Sequence, residues 1–194
     1  MMAAVQNVIV RKTIKEDLRS ILEMIQELAN YEAMPDGPKL TVQDLERDGG
    51  YSEDSTAAPV FTSFVLEATE RIQTEDNKEK LTSSTSNGDL STRTKLIGYV
   101  IFFYSYSTWQ GKALFLEDIY IRPDYRKKGY GDLLFKELAK HARDSGCVRI
   151  DFHVLAWNPA KEFYKRLGAE NLTAGEQWEL YRLTYDKFAD LCED

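Results

Sequence analysis

Two carboxylates, Glu117 and Asp118, stand side by side inside the apolar stretch LFLEDIYI, and four bases, Arg122, Arg126, Lys127 and Lys128, follow around the glycines Gly129 and Gly131. Neighbouring acids in apolar surroundings suit a site that must hold a cation and then take a proton from it. The glycine turn suits a different ligand. Glycines let the main chain approach closely, and a helix starting just after them offers free N–H groups and a dipole that favours an anion. A pyrophosphate fits that description, with Arg126, Lys127 and Lys128 adding positive charge. The turn is not the dinucleotide fingerprint, because Leu134 replaces the third glycine, and it lacks the Gly-Lys-Ser/Thr ending of a Walker loop. A basic turn that merely caps a helix is the plainer alternative.

The elements that must position these groups can be read from period and punctuation. VIV at 8–10 reads as a short strand. Thr13 with Glu16 forms a capping box before a helix carrying Leu18, Ile21, Leu22, Ile25 and Leu28. Thr41 and Asp44 repeat the box for a second helix, with Leu40 and Leu45 spaced as a staple. VFTSFVLEAT and KLIGYVIFFYSYST are strands, and the polar, Ser/Thr-rich segment 70–95 between them reads as a disordered hairpin insertion. ALFLEDIYI is a further strand. Tyr130, Leu134, Leu138 and Ala142 give a helix ending at Ser145 and Gly146. Val148, Ile150, Phe152 and Val154 alternate as a strand, Asn158 and Pro159 open a short helix stopped by Gly168, and QWELYRLTY closes as a last strand. The order β-α-α-β-β-β-α-β-α-β predicts a mixed α/β (α+β) sheet in one domain over 1–194. Successive strand residues face opposite ways, so Glu117 and Asp118 share a cleft only if a bulge intervenes.

The turn from Arg126 to Gly131 resembles the R/Q-x-x-G-x-G/A motif of the GNAT N-acetyltransferases. LANYEAM, YSTWQGKALFLEDIYI, AWN, FYKRLGA and LTAGEQW together resemble the diamine acetyltransferases, which include the spermidine/spermine and thialysine N-epsilon enzymes. The likeness spans nearly the whole chain except residues 70–95. It implies a GNAT fold: a mixed, mostly antiparallel sheet with helices on both faces and two strands splayed around acetyl-CoA, with coenzyme A as product. It places the cofactor's pyrophosphate on Arg126, Lys127, Lys128, Gly129, Tyr130, Gly131 and Asp132, and its pantetheine arm along Ile119, Tyr120 and Ile121, with Asn158 and Tyr164 as further cofactor contacts. Glu117 becomes the base, acting through water. Tyr164 becomes the acid. Tyr31, Glu32, Trp109, Glu117, Asp118, Asp151, His153 and Glu176 line the acceptor site. Two departures stand out. Asn158 to Tyr164 is one residue shorter than the family spacing, and Ser107-Thr108 replaces the Asp-Pro of the polyamine enzymes, which tilts the acceptor toward thialysine or another small primary amine.

The chemistry agrees with that acceptor class. An amine of pKa near 10.4 is neutral in roughly one molecule in a few thousand at pH 7, so an enzyme must bind the cation and deprotonate it. An aromatic wall beside carboxylates suits an alkylammonium chain. The net charge of −7 argues against a nucleic-acid partner and mildly favours cationic small molecules. No apolar run is long enough for a membrane span, and no basic start with a cleavage site marks a secretory signal, so the chain reads as cytoplasmic. Two cysteines and two histidines without close pairing predict no metal site. Homodimers are the rule in the resembled family, with the acceptor cleft open to residues from the other copy. Two other functions stay open: a catalytically weak coenzyme-binding interaction module, and an acetyltransferase of protein lysines.

Overall fold

Five runs rich in β-branched and aromatic residues pair into one sheet: β1 (Ala4–Lys12), β2 (Thr62–Arg71), β3 (Thr92–Ser107), β4 (Gly111–Ile121) and β5 (Ile150–Phe152), in the order 1-2-3-4-5. β1 to β4 are antiparallel and β5 is parallel to β4. This computed structural model describes residues 4–52, 57–71, 92–189 and 191, in two units, 1–153 and 154–194. Helices α1 (Leu18–Tyr31) and α2 (Val42–Asp48) serve one face of the sheet, where Leu18, Ile21 and Met24 meet Leu45, Val65, Tyr99, Ile101 and Tyr120. Helix α3 (Tyr130–Asp144) serves the other, where Leu134, Leu138 and Ala142 meet Phe64, Val100, Phe102, Leu114 and Leu116. The mixed, mostly antiparallel sheet with helices on both faces is as expected.

Local signals were read with mixed success. At α2 the Thr41 Oγ1 accepts from the Asp44 N–H at 3.2 Å, and Asp44 Oδ2 accepts from the Thr41 N–H at 2.9 Å, as the capping box requires. At α1 the expected Thr13–Glu16 box is not formed, and half of one stands a residue later, since Ile14 has no side-chain acceptor. The Ile14 N–H donates to Asp17 Oδ2 at 2.9 Å, a 3-10 turn over Lys15–Asp17 leads into the helix, and buried Thr13 accepts instead from Ser63 Oγ at 2.7 Å. Asp17 is fixed there by Arg11, whose guanidinium donates at 2.6 and 2.9 Å and also reaches Glu67. Burial pushes the Asp17 carboxyl up, but Arg11 and the Ile14 amide outweigh it and hold it below its ordinary value.

The ends of the polar insertion are more ordered than expected. The β2/β3 ladder continues through Glu70↔Arg93 to Arg71↔Thr92, and Arg93 pairs with the buried Glu70 carboxylate at 3.1 Å. The β-branched Thr92 and Thr94 and the cross-strand ion pair extend the hairpin into a segment whose composition spoke only of polarity. The rest of that segment, 72–91, lies outside the described residues. Gly98, across from Ile121, marks a tight strand approach: a β-carbon there would lie 2.6 Å from both the Tyr120 carbonyl oxygen and Ile121 Cδ1. Gly98→Ala is expected to cost about 1–3 kcal/mol, read as a lower denaturation midpoint at unchanged slope.

In the second unit, α4 (Lys161–Arg166), α5 (Leu172–Glu176) and α6 (Tyr185–Ala189) follow one another. The Asn158 side chain accepts from the Ala160 N–H at 2.9 Å, and Gly168, at φ +89°, ends α4 as expected. The expected closing strand is not formed. Residues 177–184 are neither helix nor strand, because a strand exists only against a hydrogen-bonding neighbour and the described residues of this unit supply none. Among the described residues no helix is long and apolar enough to cross a membrane.

Candidate active site

The site begins with a slip in register. Asp118 pairs with Ile101 and Leu116 with Phe102, so Glu117 is an extra residue on β4 with no rung of its own. Its effect shows in the packing. Leu114 and Leu116 belong to the core under α3, and unbroken alternation would send Asp118 and Tyr120 there too. Instead Tyr120 belongs to the core under α1, while Ile119 and Ile121 pack toward α3. The bulge expected between the two acids is therefore present, and it turns Asp118 toward the face of α1. Glu117 stays exposed at the kink.

Asp118 is held there by a phenol. Tyr99, fully buried on β3, donates its hydroxyl to Asp118 Oδ2 at 3.0 Å. Burial pushes the Asp118 carboxyl up to about 6; the Tyr99 bond opposes this, and the charges of Glu117 and Glu32 add to it. Burial also raises Glu32, which caps the C-terminal end of α1. The Tyr99 hydroxyl itself is pushed well above its usual range by burial and by Asp118. Three carboxylates and a phenol thus share one electrostatic neighbourhood, a place where a cation is welcome.

Beyond the bulge, one edge of β4 has no ladder partner among the described residues. Its ladder with β5 covers only Leu114↔Ile150, Phe115↔Asp151 and Leu116↔Phe152, and stops just before Glu117. The Arg122 N–H donates to the Ile97 carbonyl at 2.9 Å, so by antiparallel alternation Tyr120 and Asp118 bond toward β3, while Ile119 and Ile121 turn their backbone groups to the unpaired edge. An amide-bearing chain laid along that edge would find strand-like partners.

The glycine turn follows within a few residues. A 3-10 turn over Pro123–Tyr125 leads to Lys127 at φ +60° and Gly129 at φ +79°, and Gly129 opens α3 with no side chain capping it. Left-handed residues at this spacing fold main-chain N–H groups into a concave nest, and the first turn of α3 leaves further donors unused by the helix. Nothing lies within 4 Å of where a Gly129 β-carbon would stand, so the cradle is open. Tyr125 anchors its base: the hydroxyl donates to buried Glu70, and Lys128 and Lys95 lie 5.4 and 5.7 Å from the ring centre. These residues fit a pyrophosphate. Asp132, a carboxylate in the first turn of α3, can contribute only its backbone N–H to an anion.

Arg126 is arranged differently from its expected part in a phosphate site. Its Nε donates to the Ile121 carbonyl at 2.8 Å, and its guanidinium lies over Tyr31 and Tyr120, 5.1 and 5.3 Å from the ring centres. It ties the turn to the end of α1. Tyr120 in turn donates to Glu27 at 3.0 Å, which also receives Arg122 at 3.2 Å.

The remaining acceptor residues are not all gathered here. Tyr31 and Glu32 end α1 beside the Arg126 and Asp118 groups. Asp151 pairs with Arg149 at 2.8 Å, and His153 stands edge-on to Phe115, 5.1 Å between ring centres. Trp109 is 86% exposed on the β3–β4 turn. Seven strand residues at about 3.3 Å each put that turn roughly 20 Å from Asp118. In the second unit, Glu176 accepts from the Trp178 indole N–H at 2.6 Å, and Tyr164 stands on α4 with the Phe163 ring edge-on to it. Tyr99 and Tyr125 are the residues that the sequence reading passed over.

Comparison with known proteins places this geometry. Residues 55–169 match the family model described as the acetyltransferase (GNAT) family. A thialysine N-epsilon-acetyltransferase from Bos taurus is 33% identical over 185 residues, covering 95% of this chain and 96% of that one. An L-ornithine N5-acetyltransferase from Arabidopsis thaliana is 34% identical over 133 residues, 67% of this chain and 55% of that protein. Among solved structures, an integron cassette protein from the mobile metagenome of V. cholerae shares the fold at a TM-score of 0.64 and 19% identity, covering 97% of this chain and 99% of that one. With a bulged strand, an open glycine nest and a family match over more than half its length, the chain belongs to the GNAT acetyltransferase family and is an N-acetyltransferase.

Proposed function

We propose that the chain transfers acetyl from acetyl-CoA to the primary amine of a small cationic acceptor, a thialysine-like amino acid before a polyamine or diamine. The observation that carries this reading is the cluster of Glu32, Glu117 and Asp118 beside Tyr31 and Tyr99, next to a strand edge and a nest that suit a coenzyme. Acetyl-CoA supplies an activated acetyl group. The main-chain N–H groups of residues 127–131 would hold its pyrophosphate, and the Ile119 and Ile121 backbone would hold its amide-bearing arm. The Ile119 N–H is also suited to polarising a carbonyl there.

The carboxylates divide two tasks between them, gathering the ammonium group and accepting its proton. Tyr164 gives up its hydroxyl proton to the departing sulfur, the role that the family likeness supports. Ser107 and Thr108, where the polyamine enzymes carry an acid, favour an acceptor with one cationic end. The remote, exposed position of Trp109 supports a homodimer in which that ring serves the other copy's acceptor site. A cytoplasmic setting suits the substrate class.

Acetyl transfer measured across thialysine, spermidine, spermine, short diamines and a lysine peptide tests the reading. The expected result is the highest kcat/KM on thialysine or a short primary amine, with the peptide at least about a hundredfold lower, because the peptide's bulk forfeits the oriented fit. A preference for the peptide, or no transfer to any amine, overturns it.

A further inference from the structure

We infer that Tyr125, fixed by the buried carboxylate of Glu70, is the positioning residue of the coenzyme nest, holding the turn 126–129 concave before the coenzyme's diphosphate arrives. The inference rests on the acetyltransferase reading above and deepens it, because it names what shapes the site rather than what touches the ligand.

The turn needs a hold. Lys127 carries a side chain and yet stands at φ +60°, a left-handed conformation that persists only where the surrounding structure imposes it. Two aromatic residues bracket the turn, Tyr125 at the end of the 3-10 turn and Tyr130 at the start of α3, and both pack on the patch of Leu66, Ala68 and Ile97. Packing alone lets a ring slide. The Tyr125 hydroxyl removes that freedom by donating to Glu70 Oε1.

Glu70 follows Phe64, Leu66 and Ala68 along one face of β2, and at 3% exposure it is as buried as they are. An apolar residue would pack there without the cost of a buried charge, so the carboxylate serves direction better than stability. The Tyr125 bond holds the Glu70 carboxyl below its ordinary value against the opposing effect of burial, and Arg93, donating to Oε2 at 3.1 Å, adds to it. Burial and Glu70 in turn push the Tyr125 hydroxyl up to about 12, so it remains a donor throughout the neutral range. Lys128, inside the turn, has its ammonium group 5.4 Å from the Tyr125 ring centre. The ring that Glu70 fixes therefore also sets where that cation stands at the nest.

Acetyl-CoA affinity by calorimetry, thermal melting and acetyl transfer to a short primary amine test this in the wild type, Y125F, E70L and the double variant E70L/Y125F. Y125F keeps the ring and loses the hydroxyl. It is expected to weaken acetyl-CoA binding about tenfold while kcat at saturating acetyl-CoA stays within about twofold. E70L is expected to weaken binding by the same factor, and the double variant by no more than either alone, because all three remove one and the same bond. The double variant also separates positioning from stability. It leaves neither a buried carboxylate nor an unpaired phenol, and Arg93, its side chain 61% exposed, turns to water. Its melting temperature is expected to return to or above that of the wild type while its affinity stays about tenfold down. S-acetyl-pantetheine, which has no diphosphate, is expected to donate acetyl with the same kcat/KM in all four proteins.

Wild-type affinity in Y125F, or affinity that returns with stability in the double variant, overturns the inference and leaves the acetyltransferase reading standing. An equal loss with S-acetyl-pantetheine does the same, since the fault then lies outside the nest. A wild type that binds acetyl-CoA and acetylates no amine removes the reading alone, and one that binds no acetyl-CoA removes both.

Discussion

Gly129→Val is expected to weaken acetyl-CoA binding by about a hundredfold or more, the effect of roughly 3 kcal/mol at the nest. Gly129 sits at φ +79°, where a β-branched residue is a genuine outlier, so the turn either carries strain or relaxes and loses its concave set of N–H groups. Its missing β-carbon faces open space, so the new side chain meets no protein atom and projects into the cradle itself. Calorimetric titration with acetyl-CoA reads the affinity directly. Gly111→Val is the control: it too has positive φ, at +100°, and open surroundings, but it is the first residue of β4, where the β3–β4 turn ends. It is expected to lose stability with affinity intact. Equal affinity in the Gly129 variant and the wild type would show that the coenzyme binds elsewhere.

Tyr164→Phe is expected to reduce kcat by about 10²–10³ while acetyl-CoA affinity changes little. The exchange removes one hydroxyl and keeps the ring that Phe163 meets edge-on at 5.2 Å, so the packing of α4 is preserved. A loss confined to kcat marks a group acting in the transition state rather than in binding. Stopped-flow measurement of acetyl transfer in a single turnover separates chemistry from product release. Unchanged turnover would return Tyr164 to the part of an amphipathic packing residue.

Much of this was legible before any coordinates. The four long strands, both long helices and the glycine turn announced themselves through period, caps and breakers, because each is decided by local stereochemistry. Even the bulge is written in β4. Leu114, Leu116, Ile119 and Ile121 step by two, three and two, and the irregular step falls on the paired acids. The residues that were missed are of another kind. Tyr99 reads as one more aromatic in a strand, and its importance comes from a partner 19 positions away that only the register brings opposite. Tyr125 meets Glu70 across 55 positions. At the start of α1 it is Asp17, held by Arg11 of β1, that accepts from the Ile14 N–H, a contact that the Thr13–Glu16 spacing does not announce. The unformed closing strand carried a good alternating pattern, but pattern states only a willingness to pair, and pairing needs a second strand in reach.

The β2/β3 hairpin has one further implication. Its last described rung sets Arg71 opposite Thr92, with the Arg93–Glu70 ion pair just beneath. Whatever sequence joins those two positions adds only a slowly growing closure entropy to the fold. Cargo, labels or new chain termini engineered between 71 and 92 are therefore expected to leave undisturbed the register that sets the catalytic face.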